Sequence, residues 1–147
     1  MTVKEADDRI TELDDLIFKA DTGQISVTWQ QYLSLKSEVQ ILMDVLAKSL
    51  ASTGKHTYEE AYAAREHVRA MNLLPAILQR HCELNPETAQ KEDPLLIKAF
   101  HSGPNGDDID NEAYEKFLLQ FSYLFANAPQ PPVEKKPNLI QRLLGRK

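Results

Sequence analysis

The sequence predicts an all-α protein: a single bundle of five or six helices around a long helix over about 28–52. Three observations carry this. Apolar residues recur at three- and four-residue spacing through most of residues 3–127, the pattern of helices that bury one face. Most of the eight prolines and five glycines fall between these periodic segments. No Gly or Pro stands between Gln24 and Thr53, so one segment runs long and uninterrupted.

That segment carries its own start and stop signals. Thr28 and Gln31 have the spacing of a capping box, in which each side chain bonds the other residue's amide. Ile25 or Val27 precedes it as a hydrophobic staple. Gly54 suits the left-handed position that closes a helix. Tyr32, Leu35, Val39, Leu42, Met43, Leu46 and Leu50 share one side. Trp29 and Leu33 flank it on one edge, Ile41 and Val45 on the other. Ser34, Ser37, Asp44 and Lys48 form a narrow polar strip. So wide an apolar arc calls for helices on at least two sides. At about 1.5 Å per residue the helix is roughly 37 Å long.

Before it, residues 3–20 place Val3, Ala6, Ile10, Leu13, Ile17 and Ala20 on one stripe, with Leu16 and Phe18 at its edges. Asp7, Asp8, Glu12, Asp14 and Asp15 form the opposite, solvated face. The stripe predicts a bundle wall packed on the long helix. Its alternative use is a coiled-coil seam joining two copies in a homodimer. Asp21-Thr22-Gly23 ends this helix.

After Gly54, Thr57 and Glu60 make another capping box. The helix they open is expected to reach about Asn72, with Tyr58, Ala61, Ala64, Val68 and Met71 as its inner face. Pro75 lacks an amide donor and clashes with the preceding turn, so it ends or kinks the helix. Leu73, Leu74, Ile77, Leu78 and His81 continue the apolar face to about Leu84. Asn85-Pro86 and Asp93-Pro94 read as N-caps followed by Pro at the first helical position. They start short helices over about 86–91 and 94–101. The last body helix is expected over about 110–127. Its face of Tyr114, Phe117, Leu118, Phe121, Leu124 and Phe125 is the expected partner of the long helix. The domains are thus a helical bundle over 1–127, a Pro-rich linker over 128–137, and a basic amphipathic tail over 138–147.

Charge divides the same way. The chain has 17 basic and 22 acidic residues and a net charge of −5. Residues 134–147 hold Lys135, Lys136, Arg142, Arg146 and Lys147 against Glu134, a net of +4, which leaves −9 on residues 1–133. An acidic body is a poor nucleic-acid binder, because phosphate contacts dominate that affinity. The same acids on residues 7–15 permit the opposite use, an acidic inhibitor that mimics nucleic acid. A single cysteine, Cys82, fits a reducing compartment. The N-terminal MTVKEADD lacks a signal pattern. No apolar run is long enough to span a membrane. These features predict a cytoplasmic protein.

No residue pattern points to catalysis or to a cofactor. His56, His67, His81 and His101 lack the spacing of a helical metal site, and His81 and Cys82 are neighbours that point about 100° apart on a helix. Cys82, between Leu78 and Leu84, reads as a core cysteine. The loop GPNGDDIDNE places Gly106 and Glu112 where a calcium loop wants them, but His101 and Gly103 stand at ligand positions, so no metal is expected. An enzyme would need convergence of distant groups such as Tyr62, Arg65, His67 and Asp107.

The tail is the segment the bundle does not account for. In a helix over 138–147, Leu139, Ile140, Leu143 and Leu144 share a face, with Arg142 and Arg146 off it and Lys147 at the end. Such a segment can lay its apolar face into a groove on a protein partner. It can also rest on an anionic membrane surface, or fold back on its own body. Four prolines in residues 128–137 make a semi-rigid spacer for it. The sequence therefore predicts a non-enzymatic adaptor, chaperone-like or regulatory, that binds a protein partner through helical surfaces and this tail. Peripheral membrane association through the tail is the alternative.

Overall fold

A computed structural model describes residues 1–87, 116 and 119–133. Among the described residues are three α-helices, one 3-10 turn over Ser122–Phe125, and no strand. The helices are α1 (Val3–Asp21), α2 (Trp29–Ala51) and α3 (Tyr58–Leu84). Each opens with a complete capping box: Thr2 with Glu5, Thr28 with Gln31, and Thr57 with Glu60. Each box satisfies two amides that the helix's first turn leaves without partners. Thr2 adds a cap to the start at Val3 that periodicity alone placed.

α2 packs against both α1 and α3, and α1 and α3 touch each other much less. The α1–α2 cluster is Ala6, Ile10 and Leu13 against Val39, Leu42, Met43 and Leu46, all buried. The stripe of α1 is therefore the wall that faces α2 within the same chain. Val3 at its start and Leu16 at its edge stay exposed.

α3 departs from expectation. Pro75 neither ends nor divides it, and at 27 residues it is longer than α2 at 23. An internal Pro costs about 3 kcal/mol in a helix. Burial offsets it here: Ile77 is buried and Leu73, Leu74 and Leu78 pack on the same cluster, on both sides of Pro75. Asn85 caps the C-terminus of α3, Pro86 and Glu87 form a turn, and the Asn85 side-chain amide donates to the His81 carbonyl at 3.1 Å. The expected helix over 94–101 lies outside the described residues, as do residues 88–91 of the one before it.

The inner face of α3 is also shifted. Ala61 is buried as expected, but Ala64 and Val68 are exposed and Arg65 is buried in their place. The cause is charge. Arg69 donates through Nε to Asp14 Oδ2 at 3.0 Å and through Nη2 to Asp14 Oδ1 at 2.8 Å. Arg65 Nε stands 2.7 Å from Asp7 Oδ1 without its N–H aimed at that oxygen, so the contact is Coulombic. Two acids assigned to a solvated face thus turn toward α3, and Asp14 is buried.

The C-terminal aromatics close a second cluster. Lys116, Leu119 and Gln120 are helical, but the chain turns at Phe121 and continues as the 3-10 turn, so no single helix reaches 127. Phe121 and Leu124 bury against Phe18 of α1 and Ile77 of α3. Phe125 meets Phe18 edge-on, with ring centroids 6.3 Å apart. Phe121, Leu124 and Phe125 therefore pack on α1 at Phe18 and on the second half of α3, whereas Tyr114, Phe117 and Leu118 lie outside the described residues.

Two glycines take left-handed backbone conformations, Gly23 at φ 74° and Gly54 at φ 77°. Gly54 faces open space, whereas a Cβ on Gly23 would lie 2.8 Å from Asn127 Cβ. Gly54→Ala is expected to cost about 1–2 kcal/mol, the backbone penalty alone. Gly23→Ala should cost more, because Asn127 must also move. Thermal midpoints of the two variants check this, and equal losses would mean that Asn127 does not press on Gly23.

Candidate functional site

Among the described residues, an open groove lies where α1 ends and α2 begins. α1 closes tightly. The Thr22 hydroxyl donates to the Phe18 carbonyl at 2.9 Å, and the amides of Gln24 and Ile25 both reach the Lys19 carbonyl. Gly23 turns the chain, and the Gln24 side-chain amide donates to the Thr22 hydroxyl at 2.8 Å. The Thr28 capping box then starts α2. Between these fixed ends lies an open groove of about 530 Å³, lined by Leu16 of α1, by Ile25, Ser26 and Val27, and by Gln30, Gln31, Ser34 and Leu35. That volume is typical of ligand clefts. None of the lining residues is charged. Three acids within four residues of Leu16 or Leu35 are ion-paired: Glu12 and Glu38 both bond Arg9, and Asp15 pairs with Lys19.

The joint is locked by a buried pair. The Tyr32 hydroxyl donates to Asp21 Oδ1 at 2.5 Å, while Trp29 stacks at 5.6 Å and Lys36 sits 4.6 Å over the Tyr32 ring. Burial raises the Asp21 carboxyl above its usual range, and the Tyr32 bond only partly opposes it. Burial, then the bond to Asp21, raises Tyr32 as well. A carboxyl whose folded pKa is raised stabilises most below its unfolded pKa, and that contribution is lost as pH rises through the folded value. Asp21→Asn keeps an acceptor for Tyr32 and removes the desolvated charge. The variant is therefore expected to have the higher urea midpoint at pH 7, with the difference closing as pH falls toward about 4. A wild-type advantage at pH 7 would overturn this account.

Next to the groove, α2 turns a mixed side outward. Gln30, Leu33, Ser34, Ser37, Ile41 and Val45 share it at helical spacing with the Asp44–Lys48 ion pair. Ile41 is 61% exposed, and Leu33 and Val45 are 45% exposed. The apolar arc read from the sequence is thus covered on its α1 and α3 sides and bare along this one. Leu33, Ile41 and Val45 lie on one row of four-residue spacing, with Ser37 as a low point within it and Ser34 beside it, the relief into which another helix packs.

A second polar cluster joins α3 to the 3-10 turn. The Tyr123 hydroxyl bonds His81 Nδ1 and accepts from Asn85 Nδ2 at 2.8 Å, and Phe121 packs edge-on to the His81 ring at 4.9 Å. Burial raises the Tyr123 hydroxyl, which keeps it a neutral donor. Cys82, expected in the core, is exposed beside this cluster. The reason is that His81, not Cys82, takes the inward side of the last turn.

The residues proposed from sequence for docking, Leu139, Ile140, Arg142, Leu143, Leu144, Arg146 and Lys147, lie outside the described residues, as do the 101–112 loop and Asp107. Tyr62 and Arg65, named for a convergent polar pocket, serve the helix packing: the Tyr62 hydroxyl accepts from Gln40 at 2.8 Å and Arg65 faces Asp7. Among the described residues no three His, Cys, Asp or Glu side chains group as a metal site. No described helix is long and apolar enough to cross a membrane. Four of the five acids on residues 7–15 are paired: Asp7 with Arg65, Glu12 with Arg9, Asp14 with Arg69 and Asp15 with Lys19. The signal for the outer face of α2 was present in the sequence. Ile41 and Val45 were assigned to the edge of the core arc, and only the positions of α1 and α3 show that nothing described covers them. Comparison with protein-family models, curated proteins and solved structures found no match.

Proposed function

We propose that this chain is a non-enzymatic helical adaptor whose outer α2 face receives the apolar face of a helix from a protein partner. The observation that carries this is Ile41, 61% exposed on the outward side of α2 together with Leu33 and Val45. Burying Leu33, Ile41 and Val45 against a partner would release roughly 1.5–3 kcal/mol for each side chain fully covered. The ridge of four-residue spacing and the low serines suit a helix and not a loop. Lys48, the basic residue on this side, is paired with Asp44 at 2.9 Å, which argues for protein over nucleic acid as the ligand of this face. The non-enzymatic part of the reading is supported by the ionisable groups themselves: Asp14, Arg65, Arg69, Asp21 and Tyr32 are engaged in holding helices together. The five- or six-helix count, the cytoplasmic setting and the tethered tail over 138–147 belong to the same proposal.

The test is affinity capture from the native cell extract with wild type, Ile41→Asp, and Thr11→Asp as a control on exposed α1. Ile41 supports no core contact, so the variant should fold. A partner captured by wild type and the control but lost with Ile41→Asp is the expected result. Identical partner sets for all three would remove the outer face of α2 from the function.

A further inference from the structure

We infer that the groove between α1 and α2 is the resting place of the chain's own C-terminal segment, residues 138–147. The path of the described chain leads there. Asn127 sits against Gly23, two residues before the groove wall begins at Ile25. Ala128 and Pro129 are still half-buried, and the chain is exposed from Gln130 to Val133. It therefore leaves the body at the α1–α2 loop. Residues 130–137 contain three prolines, Pro131, Pro132 and Pro137. As an extended spacer of about 3.1 Å per residue they reach roughly 25 Å. The groove's far residues, Gln31 and Leu35, lie one to two helical turns from its near wall, about 5–11 Å along α2. The tail begins within easy reach, and a short tether holds it at an effective concentration in the millimolar range.

Chemistry matches at both levels. The groove is lined by apolar and neutral side chains with Leu16 and Leu35 on opposite walls. Leu139, Ile140, Leu143 and Leu144 would supply the apolar face. Within four residues of Leu16 or Leu35, Glu12, Asp15 and Glu38 pair with Arg9 and Lys19, which leaves a net charge of −1, and the tail carries Arg142, Arg146 and Lys147. Docking would set the tail's basic residues against this acidic balance. A tail so placed lies beside Ser34, which also belongs to the outward side of α2. Its departure would uncover one flank of that side. The inference goes beyond the partner-binding reading and does not rest on it, since groove and ridge are separate sets of apolar residues.

The experiment is an amide nitrogen–proton NMR comparison of the full chain with its Leu143→Asp/Leu144→Asp variant. Both substitutions lie in the tail, so the body's fold is not at risk. Expected are shift changes at Ile25, Val27, Gln30, Ser34 and Leu35, none at Ala61 or Ala64, and the same pattern on tenfold dilution. Ser34→Lys, at an exposed position, should give the reciprocal result: tail amides moving to the positions they take in the double variant. Changes confined to residues 134–147 would overturn the proposal. Groove changes that fade on dilution would also overturn it, because the occupant would then be the tail of a second copy. Partner capture reports on Ile41 alone, so the two ideas fail separately.

Discussion

Asp14→Ala is expected to cost about 3–5 kcal/mol, the range for removing one member of a buried ion pair. Its side chain is 7% exposed and takes two hydrogen bonds from Arg69. Truncation leaves the Arg69 guanidinium between α1 and α3 with Glu66, at 3.3 Å and half-exposed, as its remaining counter-charge. The bond to Asp14 is the first cause that raises Arg69 above its ordinary pKa, and it outweighs the burial that lowers it. A domain of this size is typically stable by about 5–15 kcal/mol, so the loss should be plain in a urea midpoint. The paired variant Asp14→Leu/Arg69→Met should recover most of it, since it removes both desolvated charges together. A single-variant cost below about 1 kcal/mol would place the pair with screened surface ion pairs instead.

Phe121→Ala should cost about 3–5 kcal/mol, the range for emptying a buried phenylalanine site. Phe121 is fully buried among Phe18, Ile77 and Leu124, with the His81 ring edge-on to it. The loss should also be local. The α1–α2 cluster around Ile10, Leu13 and Met43 does not include this segment. Hydrogen exchange should therefore quicken in the second half of α3 and in the 3-10 turn, while the amides of Val39 to Leu46 keep most of their protection. A uniform loss along all three helices would show that the two clusters open as one unit. Because Asn127 follows this turn and meets Gly23, Phe121→Ala should also loosen the point from which the tail departs.

Several elements were legible in the residues themselves. Capping boxes at Thr28 and Thr57 sit where their spacing places them, and Gly23 and Gly54 take the left-handed turns that only glycine takes without strain. These are local matters, decided by side chains three or four residues apart. The buried stripe of α1 was legible for the same reason. Pro75 does not end the helix because a local rule about helix interiors competes with a burial that the rule does not contain: Ile77 and its neighbours gain more from Phe18 and Phe121 than the missing hydrogen bond costs. The face of α3 was misread because Arg65 and Arg69 look like solvent residues until Asp7 and Asp14 stand opposite.

What the sequence determined by itself is the helical class, the starts and stops of α1 and α2, the start of α3, and which stripe of α1 is buried. Each depends on a periodicity or a cap that the chain carries within one or two turns. The tertiary structure decided the rest. It chose which side of α2 stays bare, turned two acids inward, took Phe121 and Phe125 to Phe18 of α1 and the second half of α3, and brought Asn127 to Gly23. Those outcomes depend on pairings between distant residues, such as Asp14 with Arg69, 55 positions apart, and Gly23 with Asn127, 104 apart, and no local pattern in either member announces the other.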